Sequence, residues 1–377
     1  MDAVLDGWFT EWKVSAEFSR KLSNWLGTKY AILTNSGSSA NLLALSVMRE
    51  RTTKNKVITT ATEFPTTISA IIKAGFTPLF IDTYPDTLTH ADTILMILST
   101  RHDIAGVVLS HILGFPFDAQ SVHDVCKAFG VFFIEDICDA IGESIYGKKV
   151  GTFGDISTLS LFPAHHITTG EGGVCFTDNQ DLEILLDSYR SWGRDCFCLP
   201  GQNNTCGKRF EHEWDSLPKG WDHKYTFTRL GYNLKMTELQ AALGLSQLSH
   251  LDTFIEKRRA NYKYLSNELF PHLSDHIKTS HPRFDPSPFG FPINVLNGKK
   301  KELVEFLTAK KIDTRTIFAG NITRHQMMKK VDYEIHGNLY GADYIMNNMF
   351  WIGCHPALTA NHLNYVIDCF CEFFKGK

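Results

Sequence analysis

Seven short runs rich in β-branched and aromatic residues occupy the first half of the chain, and they constrain its fold more than any other feature. They are YAILT, KVITTAT, TPLFIDT, AGVVLSH, VFFIEDIC, ISTLSLF and GGVCFT. Helical patterns lie between several of them. Before the first, VSAEFSRKLSNWLG places Phe18, Leu22, Trp25 and Leu26 on one helical face. Such alternation predicts an α/β fold, a mostly parallel sheet with helices on both faces. The pattern changes after about residue 180. Residues 190–235 are dense in Gly, Asn, Asp and aromatic residues and read as a long functional loop. TELQAALGLSQLSHLDTFIEKRRANYKYL reads as a long helix or a helix pair, and FGFPINV, KKKELVEFLTAKK and DTRTIF suggest a smaller α+β unit. A chain of 377 residues exceeds what one core usually holds, so two domains are expected, 1–250 and 251–377.

Composition excludes several function classes. The net charge is −3 and no basic run occurs, which argues against a nucleic-acid partner. No apolar run has membrane-spanning length, and the opening MDAVLDGWFTEW lacks the pattern of a signal peptide, so a cytoplasmic protein is expected. In that setting nine cysteines read as free thiols or metal ligands rather than as a disulfide framework.

Four places carry candidate chemistry. Asn35-Ser36-Gly37-Ser38-Ser39-Ala40-Asn41 joins a strand to a helix. Free N–H groups and small hydroxyls there suit a phosphate, and they equally suit an N-cap after a tight turn. Glu135-Asp136 ends a strand, where open α/β sheets bind ligands and where a carboxylate also caps the next turn. His165 and His166 stand between a strand and the turn Gly170-Glu171-Gly172-Gly173, open to a structural or a proton-transfer role. Cys196, Cys198 and Cys206 form C-x-C-x7-C in the loop, and three thiols so close suggest metal or iron–sulfur ligation if a fourth ligand is present. Candidates for that ligand are Cys138, Cys126 and Cys175, and the alternative is unliganded loop thiols. Cys354, Cys369 and Cys371 read as core or surface thiols.

Taken in order, Gly37-Ser38-Ser39-Ala40-Asn41, Phe64-Pro65-Thr66-Thr67, Glu135-Asp136, Ser160 with His165, and GYNLKMTELQAALGLSQL resemble the sugar aminotransferase family of fold-type I pyridoxal-phosphate proteins. The resemblance spans nearly the whole chain. It implies a large cofactor-binding domain, a small C-terminal domain and a homodimer. Aminotransferases of the family carry, at the position of His165, the lysine that links covalently to the cofactor. Histidine there resembles the sugar 3-dehydratase branch, which uses pyridoxamine phosphate (PMP) in place of covalently held pyridoxal phosphate (PLP).

Roles follow from that resemblance. His165 is expected to move a proton, with His166 structural. Ser38, Ser39 and Ser160 are expected to hold the cofactor phosphate and Phe64 to stack on its ring. Asp136 should pair with the pyridine nitrogen, with Asp139 near the ring's O3′. Asn233 should reach the partner subunit's phosphate. The branch has a cluster-free kind, the GDP-4-keto-6-deoxymannose 3-dehydratases, and an iron–sulfur kind, the CDP-4-keto-6-deoxyglucose 3-dehydrases. The iron–sulfur kind carries C-x57-C-x-C-x7-C, and Cys138, Cys196, Cys198 and Cys206 follow that spacing. The resemblance therefore implies a [2Fe–2S] cluster, a nucleotide-linked 4-keto-6-deoxyhexose substrate and an NAD(P)H-dependent iron–sulfur flavin reductase as partner. A catalytically silent sugar-nucleotide binder is a further reading. Glu11-Trp12-Lys13 stands where relatives have a Thr-x-Gly-Arg type sequence. Lys224, Arg229 and Arg315 are candidates for the substrate's phosphates or plain surface charges.

Overall fold

The computed structural model of the chain describes residues 2–83, 90–199, 201–279 and 284–375. The seven runs are strands: β1 (Tyr30–Thr34), β2 (Lys56–Thr60), β3 (Thr77–Ile81), β4 (Ile104–Ser110), β5 (Phe132–Asp136), β6 (Ile156–Ser160) and β7 (Gly173–Thr177). They lie in one sheet in the order β1-β7-β6-β5-β4-β2-β3. From β6 across to β3 all pairs are parallel, while β7 is antiparallel to both its neighbours. The strands read as nearly continuous apolar runs because both faces are covered.

Neighbouring residues of one strand serve opposite cores, as the two-residue period requires. Val107, Phe133 and Phe176 join one cluster with Phe18, Leu22 and Leu26 of helix α1 (Lys13–Leu26). Val108, Ile134 and Cys175 join the other, with Leu43, Ala44 and Val47 of helix α2 (Gly37–Glu50) and Ile68 and Ile71 of helix α3 (Pro65–Lys73).

Beyond helix α4 (Gln180–Arg190), the described residues to 236 hold one short 3-10 turn, His223–Tyr225, and isolated bridges pairing Ser191 with Asn233 and Arg194 with Phe227. A helix pair follows, α5 (Glu238–Leu248) and α6 (Leu251–Leu273). α6 starts in the first cluster through Leu251 and Ile255, then supplies Leu265 and Leu269 to a third cluster with Phe291, Phe350 and Phe370. That third core lies against a small sheet of β8 (Ile277–Lys278), β9 (Gly290–Val295), β10 (Thr314–Thr316) and, after β11 (Glu334–Ile335), β12 (Met349–Gly353), ordered β8-β9-β12-β10. β11 instead returns to the large sheet and pairs with β3 at its edge. Among the described residues no helix is long and apolar enough to cross a membrane.

Candidate active site

Asp136 ends β5 at the carboxyl edge of the parallel strands and is buried. Its Oδ2 accepts from Asn41 Nδ2 at 2.8 Å and its Oδ1 from the Cys138 backbone N–H at 3.0 Å. Thr158 of β6 donates to Asn41 Oδ1 at 2.6 Å, which fixes the orientation of that amide. The carboxylate is thereby set by a helix on one side and a strand on the other. Glu135, one residue earlier, points to the opposite face. It accepts from the backbone N–H groups of Gly151 and Phe153 at 2.6 and 3.0 Å and lies 3.0 Å from His111 Nε2. Of the two carboxylates in the sequence motif, Glu135 orders the turn leading to β6.

His165 follows β6 on a short turn, with Nδ1 3.4 Å from Asp139 Oδ1 but without hydrogen-bond alignment. Burial, and then the Arg258 charge, lower its imidazole to about 3. Burial, and then the charge of Asp136, raise the Asp139 carboxyl to about 8. Both partners are uncharged near neutral pH, so the contact is not an ion pair. His166 is buried with Nε2 3.0 Å from the Ser287 carbonyl and hydroxyl oxygens, a structural setting. Arg258 is 2% exposed. It donates to the Phe289 carbonyl at 2.8 Å and reaches the carbonyls of Ala164 and His165 at 3.4 and 3.5 Å. Its guanidinium thus ties the His165 turn to the β9 side of the molecule.

The serines gather around the first turn of α2. Ser36 caps it, accepting from the Ser39 N–H at 3.1 Å, and Ser38 Oγ donates to Thr66 Oγ1 at 2.9 Å. Ser160 packs so closely on Gly37 that a Cβ there would lie 2.5 Å from the Ser160 Cβ. A Cβ on Gly173 would lie 2.2 Å from the Ser36 carbonyl oxygen. The glycine-rich turn therefore lets β7 enter against the helix start, which keeps Ser38, Ser39 and Ser160 together. Phe64 is half exposed, edge-to-face with Phe318 at 5.8 Å. Glu63 beside it is wholly buried and accepts from the Ser110 hydroxyl at 2.6 Å; burial raises its carboxyl to about 8. This fold and this carboxyl-edge geometry occur in a chain whose residues 1–371 match the profile of the DegT/DnrJ/EryC1/StrS aminotransferase family.

The chain belongs to that family. Its fold is the fold-type I PLP aminotransferase fold. A lipopolysaccharide biosynthesis protein RfbH of Salmonella typhimurium is 44% identical over 99% of this chain and 88% of its own. A dTDP-4-dehydro-2,6-dideoxy-D-glucose 3-dehydratase of Saccharopolyspora spinosa is 42% identical over 94% and 79%. A solved Escherichia coli GDP-4-keto-6-deoxy-D-mannose 3-dehydratase with bound hydrated PLP superposes with a TM-score of 0.85 at 27% identity, covering 98% of this chain and 94% of that one.

The remaining predicted residues occupy other settings. Asn233 is exposed; among the described residues its contacts are a 2.9 Å bond from Lys235 Nζ and the backbone bridge to Ser191, none of them to the serines above. Cys138 lies by Asp136, and burial, then the charge of Asp136, raises its thiol. Cys196 and Cys198 interact with each other, Cys198 Sγ also lying 3.0 Å from Thr205 Oγ1. Cys206 stands with His212 and His223, their donor atoms within 4.8 Å of one another. The four cysteines thus sit in three settings. A Cys₄ cluster needs four sulfur donors; these four cysteines offer them, with two ring nitrogens also beside Cys206. Arg229 pairs with Glu50 at 3.0 Å, Lys224 binds the Gln202 carbonyl at 3.0 Å, and Arg315 is exposed. The Glu171 carbonyl accepts from Gln240 and Thr169, both at 2.7 Å, which orders the glycine-rich turn. Sequence reading missed Glu63 and Arg258. No motif marks either, although Glu63 directly precedes the quoted Phe64-Pro65.

Proposed function

We propose that this chain is a PMP-dependent sugar-nucleotide 3-dehydratase, which removes the C3 hydroxyl of a nucleotide-linked 4-keto-6-deoxyhexose. The observation that carries the proposal is an uncharged imidazole, His165, beside Asp139 at the carboxyl edge where aminotransferases of the family need a lysine. The 3-dehydratases among the relatives support it. When bound, PMP supplies an amine for the C4 ketone and a ring that takes up charge as the C3–O bond breaks. Asp136, held by Asn41 and the Cys138 N–H, receives the pyridine nitrogen and keeps it protonated. The free N–H groups at the start of α2, with Ser38, Ser39 and Ser160, hold the phosphate. Phe64 covers the ring and Asp139 stands near its O3′. His165 accepts a proton at the cofactor's C4′ carbon, and a neutral ring is the form able to do so. Asn233 serves the phosphate site of the partner subunit in a homodimer.

Two routes return the site to its starting state. In the cluster-free route, glutamate restores the cofactor amine and ammonia is released. Cys206, which has imidazoles rather than thiols as its near neighbours, supports this route. In the other route Cys138, Cys196, Cys198 and Cys206 would hold a [2Fe–2S] cluster, which would supply single electrons taken from an NAD(P)H-dependent iron–sulfur flavin reductase; the cysteine spacing with the Cys196–Cys198 contact supports it. The test is anaerobic turnover of the full chain with PMP on CDP-, dTDP- and GDP-linked 4-keto-6-deoxyhexoses, product mass being read with glutamate or with a reductase. Loss of the C3 oxygen is expected; a 4-amino sugar product would sink the proposal. Iron and sulfide analysis separates the routes.

A further inference from the structure

Phe318, in the turn after β10, holds a backbone conformation that its side chain opposes. Its φ is 41°, in the left-handed region, where a bulky side chain crowds its own main chain. Such strain persists where surrounding contacts over-determine it, and it gathers at sites that bind ligands. The turn is pinned to the loop that carries Phe64. The Ala319 N–H donates to the Glu63 carbonyl at 3.3 Å and the Ile322 N–H to the Ala61 carbonyl at 2.9 Å. Within the turn, the Gly320 N–H donates to the Ile317 carbonyl at 2.8 Å and the Thr316 hydroxyl to the Phe318 carbonyl at 3.0 Å. Ala319 and Ile322 are buried, whereas Phe318 is half-buried and stands edge-on to Phe64, at 79°. Among the described residues its ring joins none of the three hydrophobic clusters. Core packing therefore does not account for the strain.

The rings of Phe289, Trp351, Phe318 and Phe64 make an arc that starts at His165. Phe289 lies 5.2 Å from the His165 ring, centroid to centroid, and Trp351 lies 5.2 Å from Phe289. The Trp351 indole N–H donates to the Thr316 carbonyl at 3.0 Å, two residues before Phe318. Phe318 closes the arc on Phe64 at 5.8 Å. The arc runs from the imidazole that accepts the proton to the ring that covers the cofactor, and its middle comes from the smaller C-terminal unit. A substrate whose C4 meets the cofactor amine beside His165 brings its hexose into this arc before its diphosphate and base.

We propose that Phe318 recognises the hexose unit of the sugar nucleotide, and that the strained turn serves to hold its ring beside Phe64 for that contact. Ligand sites are lined mainly by apolar and aromatic side chains, and an aromatic wall suits the C–H face and the C6 methyl of a 6-deoxyhexose. A hydroxyl buried there without a partner would be costly. The assignment rests on the 3-dehydratase reading for its choice of sugar.

The full chain is loaded with PLP in place of PMP, an aldehyde that does not condense with the C4 ketone, so that binding is read without chemistry. It is titrated by calorimetry with CDP-, dTDP- and GDP-linked 4-keto-6-deoxyhexoses, and with CDP, dTDP and GDP alone. Phe318→Gly removes the ring and leaves a residue that adopts this φ freely, so the turn keeps its course. It should weaken binding of the sugar nucleotide about 3- to 10-fold, the worth of one aromatic contact, with the bare nucleotide and the cofactor bound as in wild type. Phe318→Tyr keeps the ring and should bind the sugar nucleotide as wild type does. Equal weakening of sugar nucleotide and bare nucleotide would place the ring against the base, and a matching loss of PLP affinity would place it in cofactor binding. Either result, or unchanged binding of all three ligands in Phe318→Gly, overturns the assignment. Product analysis with PMP keeps it apart from the functional reading. A wild-type chain that shows this binding pattern and yields a 4-amino sugar sinks the dehydratase and leaves the hexose contact standing. C3 dehydration by a wild-type chain whose Phe318→Gly variant binds normally sinks the contact alone.

Discussion

His165 is useful as a base only while uncharged, and burial together with Arg258 secures that state well below neutral pH. An imidazole does not make the covalent cofactor link that an amine makes, so borohydride should leave no cofactor attached to the protein. His165→Ala should lower turnover by about 10²- to 10⁴-fold, the usual worth of a general base, with PMP affinity preserved; equal loss of affinity would place His165 in binding instead. Glu63 titrates with the opposite sign. Its folded pKa of about 8 lies above the ordinary carboxyl value of 4.5, so the fold binds its proton more tightly than the open chain. Its contribution to stability is full below about 4.5 and is lost as pH rises through about 8. His165, depressed from 6.5 to about 3, works the other way, its contribution being lost as pH falls below 6.5. Between pH 6.5 and 8 the two do not oppose each other, and Glu63→Gln should flatten the fall in melting temperature across that window. An unchanged slope in the variant would mean Glu63 is not the titrating group.

At the scale of elements, the start of α2, the end of β6 and the entry of β7 form one joint, and Gly37 and Gly173 permit the contact. Gly37→Ala would put a Cβ 2.5 Å from the Ser160 Cβ and 3.0 Å from its Cα, so a strand has to give rather than a side-chain tip. The expected cost is about 1–3 kcal/mol, the range of overpacked sites. PMP affinity should also fall, because Ser160 leaves the cradle. Thermal unfolding and PMP titration on the same sample check both; a variant with normal affinity would separate Ser160 from the phosphate. Much of this joint was legible in the sequence, since strand runs, the Ser-Gly-Ser-Ser turn and the Gly-rich turn all report local backbone needs. Glu135 and Asp136 were not separable there, because the alternation that sends them to opposite faces needs the strand's register. Arg258 and Glu63 were invisible, since burial of a charge is a tertiary fact. The imidazoles beside Cys206 escaped for a similar reason: His212 and His223 are brought to it by a loop path that no period describes.

At the scale of the whole molecule, Asn233 raises the question of how many chains make one site. Within its own subunit, Asn233 is exposed; its side chain accepts from Lys235 and its backbone lies opposite Ser191 in an isolated bridge, away from the serines of the α2 turn. The proposed chain-crossing role is compatible with that exposed side chain. Twofold symmetry then makes the contact reciprocal, each subunit completing the other. Asn233→Ala should weaken PMP retention without lowering the melting temperature of the apoprotein. Mixing decides the point. A dimer of His165→Ala and Asn233→Ala chains has, under the shared arrangement, one site with both residues native and one with neither. Random re-association makes half the dimers mixed, so at a PMP concentration too low to fill Asn233→Ala sites about a quarter of wild-type turnover should return from two nearly inactive parents. If Asn233 served its own subunit's site, every site in every dimer would lack one residue, and the mixture would stay as inactive as its parents.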